Sequence, residues 1–142
     1  PLRLPGRPID VGGTGGGNQE FRLEKNQAFS MVVNKMDEIL QRAKAVITEE
    51  VSKVGCTVKR VLLFGSRARG DFRPDSDWDF YVVIDKDISF SQREDIASRI
   101  CWRLARQGIF VDVFVQPEKI VAERKGNTGY LTYYALKEGQ EI

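Results

Sequence analysis

The sequence contains no histidine. This absence excludes Ser-His-Asp and Cys-His catalysis, HExxH zinc sites and ribonucleases that depend on a catalytic histidine. Carboxylates must therefore supply any acid–base or metal chemistry. Only two cysteines are present, Cys56 and Cys101. In an intracellular chain of this size such residues are more often small buried hydrophobic residues than a disulfide, and we assign them no role.

The sequence also lacks a long apolar run and a strong charge of either sign. No apolar stretch approaches the roughly 20 residues of a membrane span, and the opening PLRLPG lacks the apolar region of a secretory signal. With 22 basic and 20 acidic residues, the net charge of +2 is too balanced for broad adhesion to nucleic acid or anionic membranes. We therefore expect a cytoplasmic protein without membrane association or strong nucleic-acid binding.

Length and composition indicate one domain preceded by a tail. The chain has 142 residues, of which 42% are hydrophobic and 30% charged, as in ordinary globular domains. Residues 1–20 hold six glycines and three prolines but almost no periodic apolar residues, too little to offset the entropy of ordering. We interpret them as a disordered tail, partly vector-derived because no initiating methionine is present. Residues 21–142 are predicted to form the single domain.

Hydrophobic spacing predicts helices that alternate with strands. Apolar residues recur every three or four positions over 26–54, and Gly55 ends this long amphipathic helix. Its apolar stripe could bind a membrane or a partner, but packing on its own sheet is the commoner case. Further predicted elements are strands at 57–64, 78–84 and 109–115, a helix within 89–108 with a capping box from Ser91 to Glu94, a short helix opened by Pro117, and a last helix over 130–139. This order predicts an α/β (α+β) fold with a small sheet flanked by helices.

Two acidic residues interrupt the second predicted strand. Because side chains alternate along a strand, Asp77, Asp79 and Tyr81 share one face, while Trp78 and Phe80 lie on the core face. The two aspartates lie about two strand rises apart, or ~6.6 Å, which allows their carboxylates to converge on one cation. Taken alone, however, a D-x-D pattern is usually a solvated strand edge or turn.

Asp112 stands alone in the apolar third strand. An unpaired buried carboxylate is costly, so we expect a partner, and one alternative is a salt bridge to Lys59 or Arg60. If the second and third strands are neighbours, Asp112 instead joins Asp77 and Asp79, and a divalent cation would relieve the repulsion among the three. Oxygen-only ligands favour Mg²⁺ or Mn²⁺, as in two-metal sites for in-line displacement at phosphorus.

Gly65 and Ser66 follow the first strand, where SRARG begins a turn or helix. Backbone N–H groups and a small hydroxyl can face an anion there, and glycine permits its close approach. Arg67, Arg69 and Arg73 are candidates for phosphate contact, although a solvated arginine is the safer interpretation of any single one. A Gly-Ser pair alone means little. Its combination with ten intervening residues, a D-x-D and a lone strand aspartate is hard to obtain by chance.

The segment GSRARGDFRPDSDWD resembles the G-S-x10-D-x-D signature of the DNA polymerase beta-like nucleotidyltransferases, especially the minimal nucleotidyltransferases of the antitoxin type. The resemblance covers roughly residues 27–142 and implies that family's fold, a small mixed β-sheet flanked by helices. It also implies that Gly65 and Ser66 hold the nucleoside triphosphate and that Asp77 and Asp79 ligate two Mg²⁺. Asp112 would complete the metal site and help to activate an acceptor hydroxyl.

The resemblance further implies a reaction and a partner. Family members transfer a nucleoside monophosphate, often AMP from ATP, to a hydroxyl on protein, RNA or an antibiotic and release pyrophosphate. Minimal members commonly act beside a helical HEPN-domain protein in toxin–antitoxin pairs. We therefore expect a HEPN-type partner or a second copy of the chain to complete the site.

Two alternatives share this fold: a non-catalytic antitoxin or scaffold that binds a partner, and an antibiotic nucleotidyltransferase, for which the chain is short. Template-directed polymerisation is disfavoured by the modest net charge. Tyr130, Tyr133 and Tyr134 near the C-terminus could form a partner surface, but we expect core packing to explain most of them.

Overall fold

The structure is a computed structural model that describes residues 18–142, with side chains described from residue 25 onward. Its elements, in chain order, are α1 (Asn18–Lys53), β1 (Val58–Phe64), α2 (Ser66–Arg69), β2 (Trp78–Ile84), α3 (Phe90–Ala105), β3 (Val111–Pro117), α4 (Glu118–Arg124), α5 (Leu131–Glu138) and β4 (Gln140–Glu141). The described strands form one sheet in the order β3-β2-β1-β4. Strand β1 is antiparallel to β2 and β4, whereas β2 and β3 are parallel. The predicted α/β fold with a mixed sheet is confirmed.

The predicted elements occur with some shifted bounds. Helix α1 begins at Asn18 rather than at residue 26, so residues 18–20 of the predicted tail belong to it, and residues 1–17 lie outside the described residues. Strand β3 begins at Val111 rather than at residue 109. Strand β4 was not predicted, because two residues are too few to show an alternating pattern.

The capping box of α3 lies two residues earlier than predicted. Ser89 Oγ accepts a hydrogen bond from the Gln92 N–H at 3.1 Å, and Gln92 Oε1 accepts one from the Ser89 N–H at 3.0 Å. The box predicted for Ser91 and Glu94 is therefore wrong. Both pairs have the spacing that a capping box needs, and the extended backbone at Ser89 decides between them.

Both faces of strand β2 are covered. The face with Trp78, Phe80 and Val82 packs against α1 and α3, as the strand alternation predicted. On the opposite face Tyr81 is also buried, and its hydroxyl lies 2.5 Å from Thr132 Oγ1 of α5. The smaller core on that face contains Leu62, Phe64, Tyr81, Val83 and Ala135. Strand β2 is thus buried along nearly its whole length, which makes a carboxylate within it conspicuous.

Helix α1 packs on the sheet through only part of its length. From Met36 onward the apolar stripe is buried, at Met36, Leu40, Ala43, Ile47 and Val51, whereas Met31 and Val32 are 71% and 48% exposed. The C-terminal part is held to α3 by the buried Glu50, whose carboxylate accepts hydrogen bonds from Arg99 at 3.3 Å and Arg103 at 3.2 Å. The predicted packing of the stripe on its own sheet is therefore confirmed for the second half of the helix.

The described part of the chain includes both cysteines and all the helices that could be considered as membrane spans there. Cys56 is buried, Cys101 is half-buried, and both are free thiols. No helix there has both the length and the apolar composition that crossing a membrane requires.

Candidate active site

The D-x-D aspartates lie where the loop after α2 enters β2. Asp77 directly precedes the strand and is exposed, whereas Asp79 is its second residue and is half-buried. The antiparallel register places Phe64, the last residue of β1, opposite Asp79. The end of the first strand and the start of the second therefore meet at one edge of the sheet.

Asp112 lies beside Asp79, because the parallel register of β2 and β3 pairs these two residues. The negative charge of Asp112 therefore acts on the carboxylate of Asp79 and raises its pKa. The predicted adjacency of the two strands is confirmed. The alternative partners, Lys59 and Arg60, lie at the far end of β1, opposite Val83 and the end of β2, and Arg60 forms an ion pair with Glu141.

The expected burial of Asp112 is wrong. Its side chain is exposed, because β3 is the outer strand of the described sheet and alternates buried valines with exposed residues. An exposed carboxylate needs no partner for stability. It can, however, meet a molecule that approaches from solvent.

Gly65 brings the turn after β1 against Asp79. Its φ of 72° and ψ of −156° lie in a region that is essentially restricted to glycine. A Cβ at this position would lie 2.2 Å from Asp79 Oδ2, so the backbone of the turn contacts the carboxylate without an intervening side chain. Ser66 follows as the first residue of α2. The structure thus brings Gly65, Asp79 and Asp112 together.

The site concentrates negative charge. The pKa of Asp79 is raised from 3.8 to about 6, first by burial and then by the charges of Asp112 and Asp77 and a hydrogen bond with Asp112. Arg69 opposes this shift but does not cancel it. A cationic ligand at this position would therefore be favoured electrostatically.

The carboxylate oxygens of the site are suitable ligands for a hard cation, although they are not already arranged around a metal position. Asp77, Asp79 and Asp112 offer only carboxylate oxygens, the ligands that Mg²⁺ and Mn²⁺ prefer, and their mutual repulsion leaves room for positive charge. Within residues 25–142, however, no group of three or more Asp, Glu, Cys or His side chains is arranged to hold a metal ion. The metal site stays a prediction, with Asp79 and Asp112 as its closest pair.

Arg67 and Arg69, two of the three arginines considered for phosphate contact, have different surroundings. Arg69 forms ion pairs with Asp71 at 3.4 Å and with Glu138 of α5 at 3.1 Å, and its charge also acts on Asp79. Arg67 is buried, and its Nε and Nη2 atoms donate to backbone carbonyls of the loop before β2. Arg69 is therefore the better placed of the two for phosphate contact.

Sequence reasoning missed an aromatic surface beside the aspartates. Phe114 is 39% exposed and contacts Phe64, with ring centroids 5.9 Å apart. It follows Asp112 by two residues, so the same alternation that aligned Asp77 with Asp79 could have placed it on this face. Core packing also explains less of α5 than expected, because Tyr130 and Tyr134 are 41% and 47% exposed.

Comparison with known families agrees with this arrangement. Residues 34–133, which are more than half of the chain, match the family model described as polymerase beta, nucleotidyltransferase. The chain therefore belongs to the polymerase beta nucleotidyltransferase family, and the resemblance noted in the Gly-Ser and D-x-D segment is confirmed at that level. The antitoxin type within the family stays a prediction.

A curated relative carries a more specific name. The "Putative protein adenylyltransferase MJ0604" of Methanocaldococcus jannaschii is 32% identical over 69 residues. The matched segment covers 49% of this chain and 64% of that protein. No solved structure matches the chain significantly.

The raised pKa of Asp79 predicts that this residue destabilises the fold at neutral pH. Since the pKa is about 6 when folded and near 3.8 when unfolded, the folded state binds more protons between these values, and stability falls as pH rises through them. In metal-free buffer, Asp79→Asn should therefore raise the free energy of unfolding by about 1–2 kcal/mol at pH 7, after discounting for partial exposure. Urea denaturation at several pH values measures this difference, which should nearly vanish at pH 4. A difference that stays constant with pH would contradict the assignment.

Proposed function

We propose that the protein is a Mg²⁺-dependent adenylyltransferase that transfers AMP from ATP to a hydroxyl group of a partner protein. The observation that carries this proposal is the meeting of Asp79, Asp112 and the Gly65 turn at one edge of the sheet. Membership of the nucleotidyltransferase family supports the reaction type. The name of the archaeal relative supports AMP as the transferred group and protein as the acceptor.

One group of residues binds ATP, and another residue acts on the acceptor hydroxyl. Gly65 and Ser66 bind the triphosphate of ATP, and the exposed Arg69 is placed to contact it. Asp112 lies exposed beside Asp79 and takes the proton of the acceptor hydroxyl. The acceptor oxygen then bonds to the α-phosphorus as the bond to the bridging oxygen of the β-phosphate breaks, and pyrophosphate leaves. Positioning and charge stabilisation supply most of the rate enhancement.

Asp77, Asp79 and Asp112 are the residues that would hold Mg²⁺. When bound there, the ion neutralises charge on the triphosphate. Without it, the repulsion that raises the pKa of Asp79 would also oppose binding of ATP. The proposal therefore requires that ATP and the ion bind together.

The acceptor side of the site is open. Phe114 and Asp112 are exposed next to each other on the outer strand of the described sheet, so no element among the described residues blocks the approach of an acceptor. A HEPN-type protein that forms a toxin–antitoxin pair with this chain is the partner that the family resemblance suggests, and a second copy of the chain is the other. The exposed Tyr134 of α5 and Tyr130, the residue before that helix, provide apolar surface for such a contact.

Incubation with ATP labelled on the α-phosphate tests the proposed function. We expect Mg²⁺-dependent transfer of label to a tyrosine, serine or threonine of a co-purifying or neighbouring-gene protein, with release of pyrophosphate. Label on the γ-phosphate should not transfer. Calorimetry with ATP and Mg²⁺, alone and with the partner, identifies the alternative. Absence of nucleotide binding in both conditions would favour a non-catalytic module that only covers its partner.

A further inference from the structure

Among the described residues, Arg67 is the only lysine or arginine that is buried, with 8% of its surface exposed. It is the second residue of α2 and follows the Gly65 turn by two positions. Burial of a guanidinium is unfavourable unless its N–H groups and its charge are satisfied. The contacts that satisfy it should therefore explain why an arginine occupies this position.

Those contacts all belong to the segment that leads into β2. Arg67 Nη2 donates to the carbonyls of Pro74 at 3.3 Å and Ser76 at 2.9 Å, and Nε donates to Ser76 at 3.3 Å. The guanidinium carbon also lies 4.3 Å from the ring centroid of Phe72 and 4.4 Å from that of Trp78. Arg67 thus connects α2 to both ends of the loop that carries Asp77.

The carbonyl of Ser76 is the critical contact, because it belongs to the peptide bond that joins Ser76 to Asp77. Asp79 needs no such support, since the ladder of β2 with its two neighbours fixes the backbone there. Asp77 precedes the strand and is exposed. Its position relative to Asp79 therefore depends on how firmly the loop is held.

We propose that Arg67 is a positioning residue that clamps the loop at residues 71–77 and sets the distance of Asp77 from Asp79 and from the Gly65 turn. The sequence made Arg67 a candidate for phosphate contact, whereas its hydrogen bonds in the structure are with the loop. A lysine does not reproduce these contacts, because its compact tetrahedral ammonium lacks the planar, forked guanidinium that donates from Nε and Nη2 and contacts aromatic rings with its face.

Hydrogen exchange of the unliganded protein tests the clamp directly. In Arg67→Lys, backbone amides at 71–77 should exchange at least about 10-fold faster than in the wild type, while β1 and α3 keep their protection. Arg106→Lys, which alters an exposed arginine at the end of α3, is the matched control and should change neither region. Unchanged exchange at 71–77 in Arg67→Lys would overturn the proposal. A general loss of protection would show a role in the whole fold and would overturn it as well.

A kinetic measurement separates positioning from phosphate contact, and this arm rests on the proposed function. Arg67→Ala should lower kcat for AMP transfer by about 100-fold or more, while KM for ATP changes by less than about threefold. Arg67 borders a cavity of about 290 Å³, which gives a small cation access to the vacated position. Millimolar guanidinium should therefore restore part of kcat in Arg67→Ala, and urea should not.

The hydrogen-exchange and kinetic experiments can fail in distinguishable ways. A raised KM for ATP with unchanged kcat in Arg67→Ala would show that Arg67 contacts phosphate and would overturn the clamp. If the wild type transfers no AMP to any acceptor, the proposed function fails. The exchange measurement still decides whether Arg67 holds the loop, because it needs neither ATP nor metal.

Discussion

Asp79→Asn is expected to lower the rate of AMP transfer by at least about 1,000-fold at saturating ATP. The residue is the most constrained of the three aspartates, since it pairs with Asp112 in the sheet register and contacts the Gly65 turn. The amide keeps the shape of the side chain but removes the negative charge that would hold the proposed cation. Transfer of α-phosphate label measured against ATP concentration gives kcat and KM separately.

Loss of transfer with a gain in stability would distinguish this residue from a structural one. At pH 7 the same variant should unfold at higher urea concentration, because it no longer carries a carboxylate whose pKa is raised by burial and by its neighbours. Asp95→Asn, on the exposed face of α3, makes the same change in net charge and should alter neither property. Equal labelling by the wild type and by a protein with both Asp79 and Asp112 changed to Asn would refute the assignment.

The alternation of side chains along strands made much of the site predictable. It placed Asp79 on the face opposite Trp78 and Phe80, and the structure shows this arrangement. The meeting of Asp79 with Asp112 required one further condition, that β2 and β3 are neighbours. The order of helices and strands allowed this condition without determining it, because strand order depends on how the whole sheet packs.

The features that the sequence did not reveal depend on how separate segments of the chain pack together. Burial of Asp112 was expected because β3 is rich in apolar residues, yet its position at the edge of the sheet leaves alternate side chains in solvent. The surroundings of Arg67 depend on Phe72 and Trp78, whose ring centroids lie 4.3 Å and 4.4 Å from its guanidinium carbon. An arginine beside a Gly-Ser turn has the same local sequence whether it faces a bound ligand or the loop.

Gly65→Ala is the second substitution with a large expected effect. Any Cβ there would lie 2.2 Å from Asp79 Oδ2 and 3.1 Å from its Cγ, so the carboxylate must rotate or the turn must move. The backbone conformation itself adds about 1–3 kcal/mol of strain for a residue other than glycine. Since a displacement of about 1 Å at a reacting group can cost about 100-fold, AMP transfer should fall by at least that factor.

Gly108→Ala separates the two contributions. Gly108 also has a positive φ, 78°, but a Cβ at this position would meet nothing within 4 Å. It should therefore share the loss of stability from backbone strain and keep the wild-type rate of transfer. Measurement of urea unfolding and kcat for both variants gives the comparison. Equal kcat values in Gly65→Ala and Gly108→Ala would mean that close contact between the turn and Asp79 is not needed for the reaction, whereas a loss confined to Gly65→Ala ties the rate to that contact.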